Sequence, residues 1–123
     1  MTGRIQDLEH ISTNDVNAAL SRNDPAELQL VSITLALTFS DSAFVQDVCI
    51  KLSSHSDGKV RGNAVTSLGY LARRFRKLDK MMVKPVIETA LLDSDDTVRE
   101  LAKSAADEIH QFLHWDIAGH VYG

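Results

Sequence analysis

The side chains of this sequence best suited to chemistry are two histidines, one cysteine, paired acids and a run of arginines. His110 and His114 stand four residues apart, so on a helix they share a face and could together hold a metal ion. The segment HQFLH that carries them lacks the glutamate of the HExxH zinc-peptidase pattern, and no cysteine lies near it. A surface pair of histidines is the better reading, and no metal or cofactor site is expected. Cys49, the single cysteine, sits with Val45, Val48 and Leu52 on one apolar stripe. There it reads as a small core residue rather than a nucleophile. The acid pairs Asp95–Asp96 and Asp107–Glu108 fall at turns and solvated faces, where no acid–base role is required of them. No glycine-rich phosphate loop occurs; Gly62 and Gly69 lie inside a helical pattern and point to close packing. The segment RRFRKLDKMMVK (73–84) carries six cations and one acid. Arg73, Arg74, Arg76 and Lys77 end a helical pattern, where cations complement the helix dipole; a partner-binding patch is the other reading. None of this assembles into a catalytic constellation, and the expectation is a protein that is not an enzyme.

The elements behind these residues are bounded by length and composition. A chain of 123 residues, 44% apolar and 24% charged, can bury a single core, so one domain over 1–123 is expected. No apolar run approaches the roughly 18 residues of a membrane span, and MTGRIQDLEHIS has no secretory apolar stretch. One cysteine cannot form an internal disulfide. Together these features lead to a cytoplasmic expectation, with no membrane partner. The net charge is −4. Residues 1–60 hold four Lys or Arg against eight acids, whereas residues 61–123 hold nine of each. An acidic chain repels phosphate backbones, so direct nucleic-acid binding is not expected. Basic protein partners suit it better.

Helical period runs through the chain. SDGKVRGNAVTS (56–67) and SDDTVRELAKSA (94–105) lie 38 residues apart and share Ser, Asp, Val, Arg and Ala at the same offsets. After Asp57 the apolar stripe is Val60, Ala64, Leu68, Leu71 and Phe75; after Asp95 it is Val98, Ala102, Ala105 or Ala106, Ile109 and Leu113. Steps of three and four mark an α-helix in both places. Asp57 and Asp95 stand where a carboxylate accepts from free N–H groups at a helix start. Thr97 with Glu100 has the spacing of a capping box. A further helical stretch precedes each stripe, at 42–54 and at 84–93, the second with Pro85 in its first turn. A fainter copy lies upstream: 14–20, then 23–39, with Leu28 in the valine's place and Gln29 in the arginine's. Three helix pairs at a period of about 35 to 40 residues have the signature of an α-solenoid.

The phrase Asp-x-x-Val-Arg-x-x-Ala, with Pro85 in the preceding helix, resembles the HEAT repeat. The resemblance covers roughly residues 13–113 and implies an all-α fold, a short right-handed α-solenoid of about three helix pairs. The units would be about 13–40, 41–77 and 79–114, followed by a C-terminal cap at 115–123. In that family the turn Asp and the helix Arg often pair between neighbouring repeats. The resemblance therefore implies a structural ladder of Asp57, Asp95, Arg61 and Arg99.

HEAT repeats act mostly by presenting an extended surface to another macromolecule, usually on their second helices. Carried over, the binding face holds Asn63, Thr66, Tyr70, Arg73 and Arg74, then Lys103, Asp107, Glu108 and His110. Tyr70 and Trp115 are the aromatic anchor candidates. Trp115 could equally close the core of the last repeat. In size, charge and architecture the chain also resembles the small immunity proteins of bacterial contact-dependent growth inhibition. That resemblance implies a 1:1 complex, formed by a chain otherwise monomeric, with a toxin domain such as a basic nuclease. Asp93, Asp96, Glu100, Asp107 and Glu108 would face the toxin's cations and cover its active site. The alternatives are a HEAT-repeat adaptor or regulatory subunit, or less directly an enzyme-accessory protein.

Overall fold

The computed structural model describes residues 11–120, and among them every regular element is an α-helix. They are α1 (Thr13–Arg22), α2 (Pro25–Thr38), α3 (Ser42–Leu52), α4 (Gly58–Phe75), α5 (Lys80–Ala90) and α6 (Asp96–Leu113). Each starts on a side-chain cap that satisfies amides the helix itself leaves free. Asp57 accepts from Lys59 N at 2.9 Å and Val60 N at 3.1 Å; Asp95 accepts from Thr97 N at 2.8 Å and Val98 N at 3.3 Å. Asp24, Asp41 and Asp79 do the same for α2, α3 and α5. The capping box lies at α1, where Ser12 and Asp15 exchange bonds, and not at Thr97 and Glu100. Glu100 instead receives Lys103 at 2.8 Å, one turn along the exposed side of α6. α1, α4 and α6 end at Asn23, Arg76 and His114, all in the left-handed region without glycine.

Two elements differ from the sequence reading. α5 begins at Lys80 under the Asp79 cap, so Pro85 falls in its second turn rather than its first. The stripe Val83, Ile87 and Ala90 carries the helix through the proline, because burial of that face outweighs the lost N–H. In the upstream copy, counting from Asp24 puts Glu27 in the valine's place and Leu28 in the arginine's. Arg22 clasps the Glu27 carboxylate from two nitrogens, at 2.9 and 2.6 Å, which lets a glutamate only 8% exposed occupy a core position.

α2, α4 and α6 lie side by side and parallel. Asn63 Nδ2 in α4 donates to Gln29 O in α2 at 2.7 Å, and near the other ends Arg74 Nη1 donates to Ala36 O at 3.2 Å. α4 and α6 share the most extensive contact of the fold. Glycines make it close: a Cβ on Gly69 would meet the Ala105 Cα at 3.2 Å, and one on Gly62 would meet Leu101 at 2.8 Å. α3 packs on α4, α5 on α6, and α1 on α2. One continuous core runs through all six helices, from Val16 and Ala19 in α1 to Ala106 and Ile109 in α6. Cys49 is fully buried in it, and burial pushes its thiol up to about 12, which leaves it unreactive.

The repeated phrase has repeated roles. The aspartate caps, the valine is buried, and the arginine reaches six residues back to hold the incoming loop. Arg61 Nη1 donates to His55 O at 3.0 Å, and Arg99 Nη1 donates to Asp93 O at 2.6 Å. The expected ladder is corrected in its carboxylates. Asp57 and Asp95 cap their own helices, and the long-range partner of Arg61 is Asp93, bound from Nε and Nη2 at 2.9 Å each. That pairing holds the Asp93 carboxyl below its usual range and raises the Arg61 guanidinium further. Asp93 is therefore committed within the fold, not offered to a partner. Beyond α6, Trp115 and Ile117 are buried, and Ala118 N donates to Glu88 Oε2 of α5 at 2.8 Å. Among the described residues no helix is long and apolar enough to cross a membrane.

Candidate functional site

The outer faces of α2, α4 and α6 form one surface, and most of the candidate residues stand on it. Asn63 is half-buried, its amide bonded to α2. Thr66 is half-buried with its hydroxyl enclosed and no hydrogen-bond partner among the described residues. Tyr70 lies under the Arg73 guanidinium, 5.0 Å from its ring centre. Arg73 also reaches across to α6 and meets Glu108 Oε1 at 3.3 Å. Thus Tyr70, Arg73 and Glu108 form one polar knot at the α4–α6 seam, and helical spacing places Thr66 one turn before Tyr70 on the same face.

Arg74 has a different role. Its guanidinium donates to Ala36 O in the last turn of α2 and to Phe39 O just beyond it, and stacks on Phe75 with 4.5 Å between groups. α2 has no cation of its own at that end, so Arg74 complements its dipole from a neighbouring helix. Arg76 stands over Phe112 at 5.0 Å. The basic segment is therefore largely engaged in joining helices, with its side chains still partly in solvent.

The acids of α6 make an exposed row on its free edge. Asp96 is 88%, Glu100 70% and Asp107 63% exposed at the side chain. Their partners are local: Arg99 for Asp96, Lys103 for Glu100, and His120 for Asp107 at 2.7 Å. Lys103 keeps the Glu100 carboxyl below its usual range through a hydrogen bond. The row stands in water.

Trp115 is set apart from this surface. It is 8% exposed within the core, with Lys80 Nζ 5.9 Å from its ring centre and its carbonyl accepting from His110 Nδ1 at 3.0 Å. His114 is the left-handed residue that ends α6, so it does not continue the helix face of His110. Among the described residues no group of three or more His, Cys, Asp or Glu is placed to hold a metal ion.

Two features escaped the sequence reading. Asp93 stands two residues before the Asp95 cap, as His55 stands before Asp57, and each accepts from the cap's own amide. The signal was that fixed offset. The other is a row of exposed apolar residues on α2, signalled by LQLVSITLALTF being apolar on every face. No family model matches the chain, and neither a curated protein nor a solved structure is significantly similar to it.

Proposed function

We propose that this chain is a HEAT-like α-solenoid that works by binding another protein, and that its partner is a bacterial toxin domain which it neutralises in the cytoplasm as an immunity protein. The observation that carries the reading is the continuous surface of three parallel helices, polar at its centre and acidic along α6. The recurring Asp, Val and Arg roles support repeat architecture beneath it. An exposed row of Asp96, Glu100 and Asp107 suits a cationic nuclease: complementary charge speeds encounter and selects the partner. Binding over such a toxin's active site blocks it without any reaction by this chain.

A HEAT-repeat adaptor is the second reading, favoured by the exposed Leu30 and Leu37, which suit partners without a basic active site. The deciding experiment is a pull-down from the source cell with the tagged chain, read by mass spectrometry, followed by co-expression. A single stoichiometric partner that stops growth alone, and is harmless beside this chain, supports the immunity reading. Several substoichiometric partners with no toxin among them overturn it and leave the adaptor.

A further inference from the structure

α2 is apolar on the side turned to solvent as well as on the side turned to the core. Leu28, Val31 and Leu35 are buried, yet Leu30 is 57% and Leu37 is 54% exposed, with Ile33 half-buried between them. Steps of three and four put these three in one row along two turns. Single exposed leucines are ordinary, but a contiguous row on an otherwise well-packed helix marks a contact surface.

α4 borders that row, and the register is fixed at both ends. Asn63 meets α2 at Gln29, beside Leu30, and Arg74 meets it at Ala36 and Phe39, on either side of Leu37. A depression lined by Gln29, Lys59, Asn63, Thr97, Leu101 and the capping Asp95 continues the surface across the N-terminal halves of the three helices. Lys59 is exposed, and Arg74 spends its donors on carbonyls. Among the described residues neither cation has a carboxylate within ion-pair distance. The row is thus apolar with a positive border along α4.

We infer that the α2–α4 face docks an amphipathic helix of the partner protein. Its apolar residues at i, i+3 or i+4 and i+7 lie on Leu30, Ile33 and Leu37, and its acidic edge faces Lys59 and Arg74. From Lys59 to Arg74 the rise of α4 is about 22 Å, which matches a partner helix of about four turns. A second copy of this chain fits less well, because a two-fold contact brings the α4 cations of both copies into one interface. This inference rests on the protein-binding reading and deepens it by naming a face and the chemistry that fits it.

The test is selection of a displayed library of random peptides, about 16 residues long and so about four helical turns, on the full chain. Enriched peptides should share the apolar spacing with Asp or Glu along one flank, and should gain helical circular dichroism on binding. Leu30→Ser with Leu37→Ser should weaken them about tenfold or more while the chain melts as before. Lys59→Glu should slow their association. Enrichment of basic or non-helical peptides, no enrichment, or undiminished binding to the double variant overturns the inference. So does a wild-type dimer in sedimentation that the double variant abolishes. If the partner captured from cells binds the double variant undiminished, this face is excluded while the protein-binding reading stands. If wild type captures no partner at all, the reading itself falls.

Discussion

Arg61 and Arg99 occupy the same place in the repeated phrase and carry unequal loads. Both hold the carbonyl six residues back, but only Arg61 also clasps a carboxylate far along the chain, just beyond α5, with side chains 18% and 14% exposed across the pair. Arg99 finds Asp96 one turn away on its own helix, in water. Arg61→Ala should cost about 2–3 kcal/mol, because it leaves the half-buried Asp93 carboxylate without its cation. Arg99→Ala should cost about 1 kcal/mol or less. Urea unfolding of the two variants measures the difference. The same pair sets a pH dependence. The Asp93 carboxyl is lower in the folded chain than its ordinary 3.8. Its contribution is therefore complete above that value and is lost as pH falls through the folded one. Asp93→Asn should remove that part of the acid limb of a stability–pH curve; an unchanged limb would mean that other carboxylates set it.

At the level of helices, two residues oppose or enable packing in ways that can be measured. Pro85 is exposed inside α5 and removes a backbone donor there. Pro85→Ala should stabilise the chain by about 1–3 kcal/mol, read as a rise in melting temperature. Gly69 faces the Ala105 backbone, so Gly69→Val should push α4 from α6 and cost about 1–3 kcal/mol. The helices themselves were legible because period and aspartate caps agreed, and α4 and α6 run where Asp57 and Asp95 announce them. The start of α5 was not, because a proline is a signal for a first turn, whereas here Pro85 stands six residues after Asp79, the real cap. The helix ends at Arg76 and His114 carry no glycine to mark them. Of the candidate site, the row from Asn63 to Arg73 was legible as one face of a helix. The bond between Arg73 and Glu108 was not, since it depends on how two helices sit side by side. Trp115 was ambiguous for the same reason: an aromatic just beyond the last helix reads alike whether it meets a core or a partner.

Across the whole molecule the surface changes character from one helix to the next: apolar on α2, cationic and polar on α4, acidic on α6. The far end is closed by Trp115 and Ile117, under a bond from Ala118 N to Glu88. Trp115→Ala should open that end and cost about 3–5 kcal/mol. Thermal unfolding measures it, and a change below 1 kcal/mol would mean the tail is an ornament to a core already complete. Arg74 has a consequence of another kind. The carbonyl end of α2 is completed by a cation that lies beyond α3, in the last turn of α4. During synthesis the first hairpin leaves the ribosome with that end open, and it remains so until the chain has threaded through two further helices. The end of α2 thus acquires its charged partner only with α4, the second helix after it in the chain.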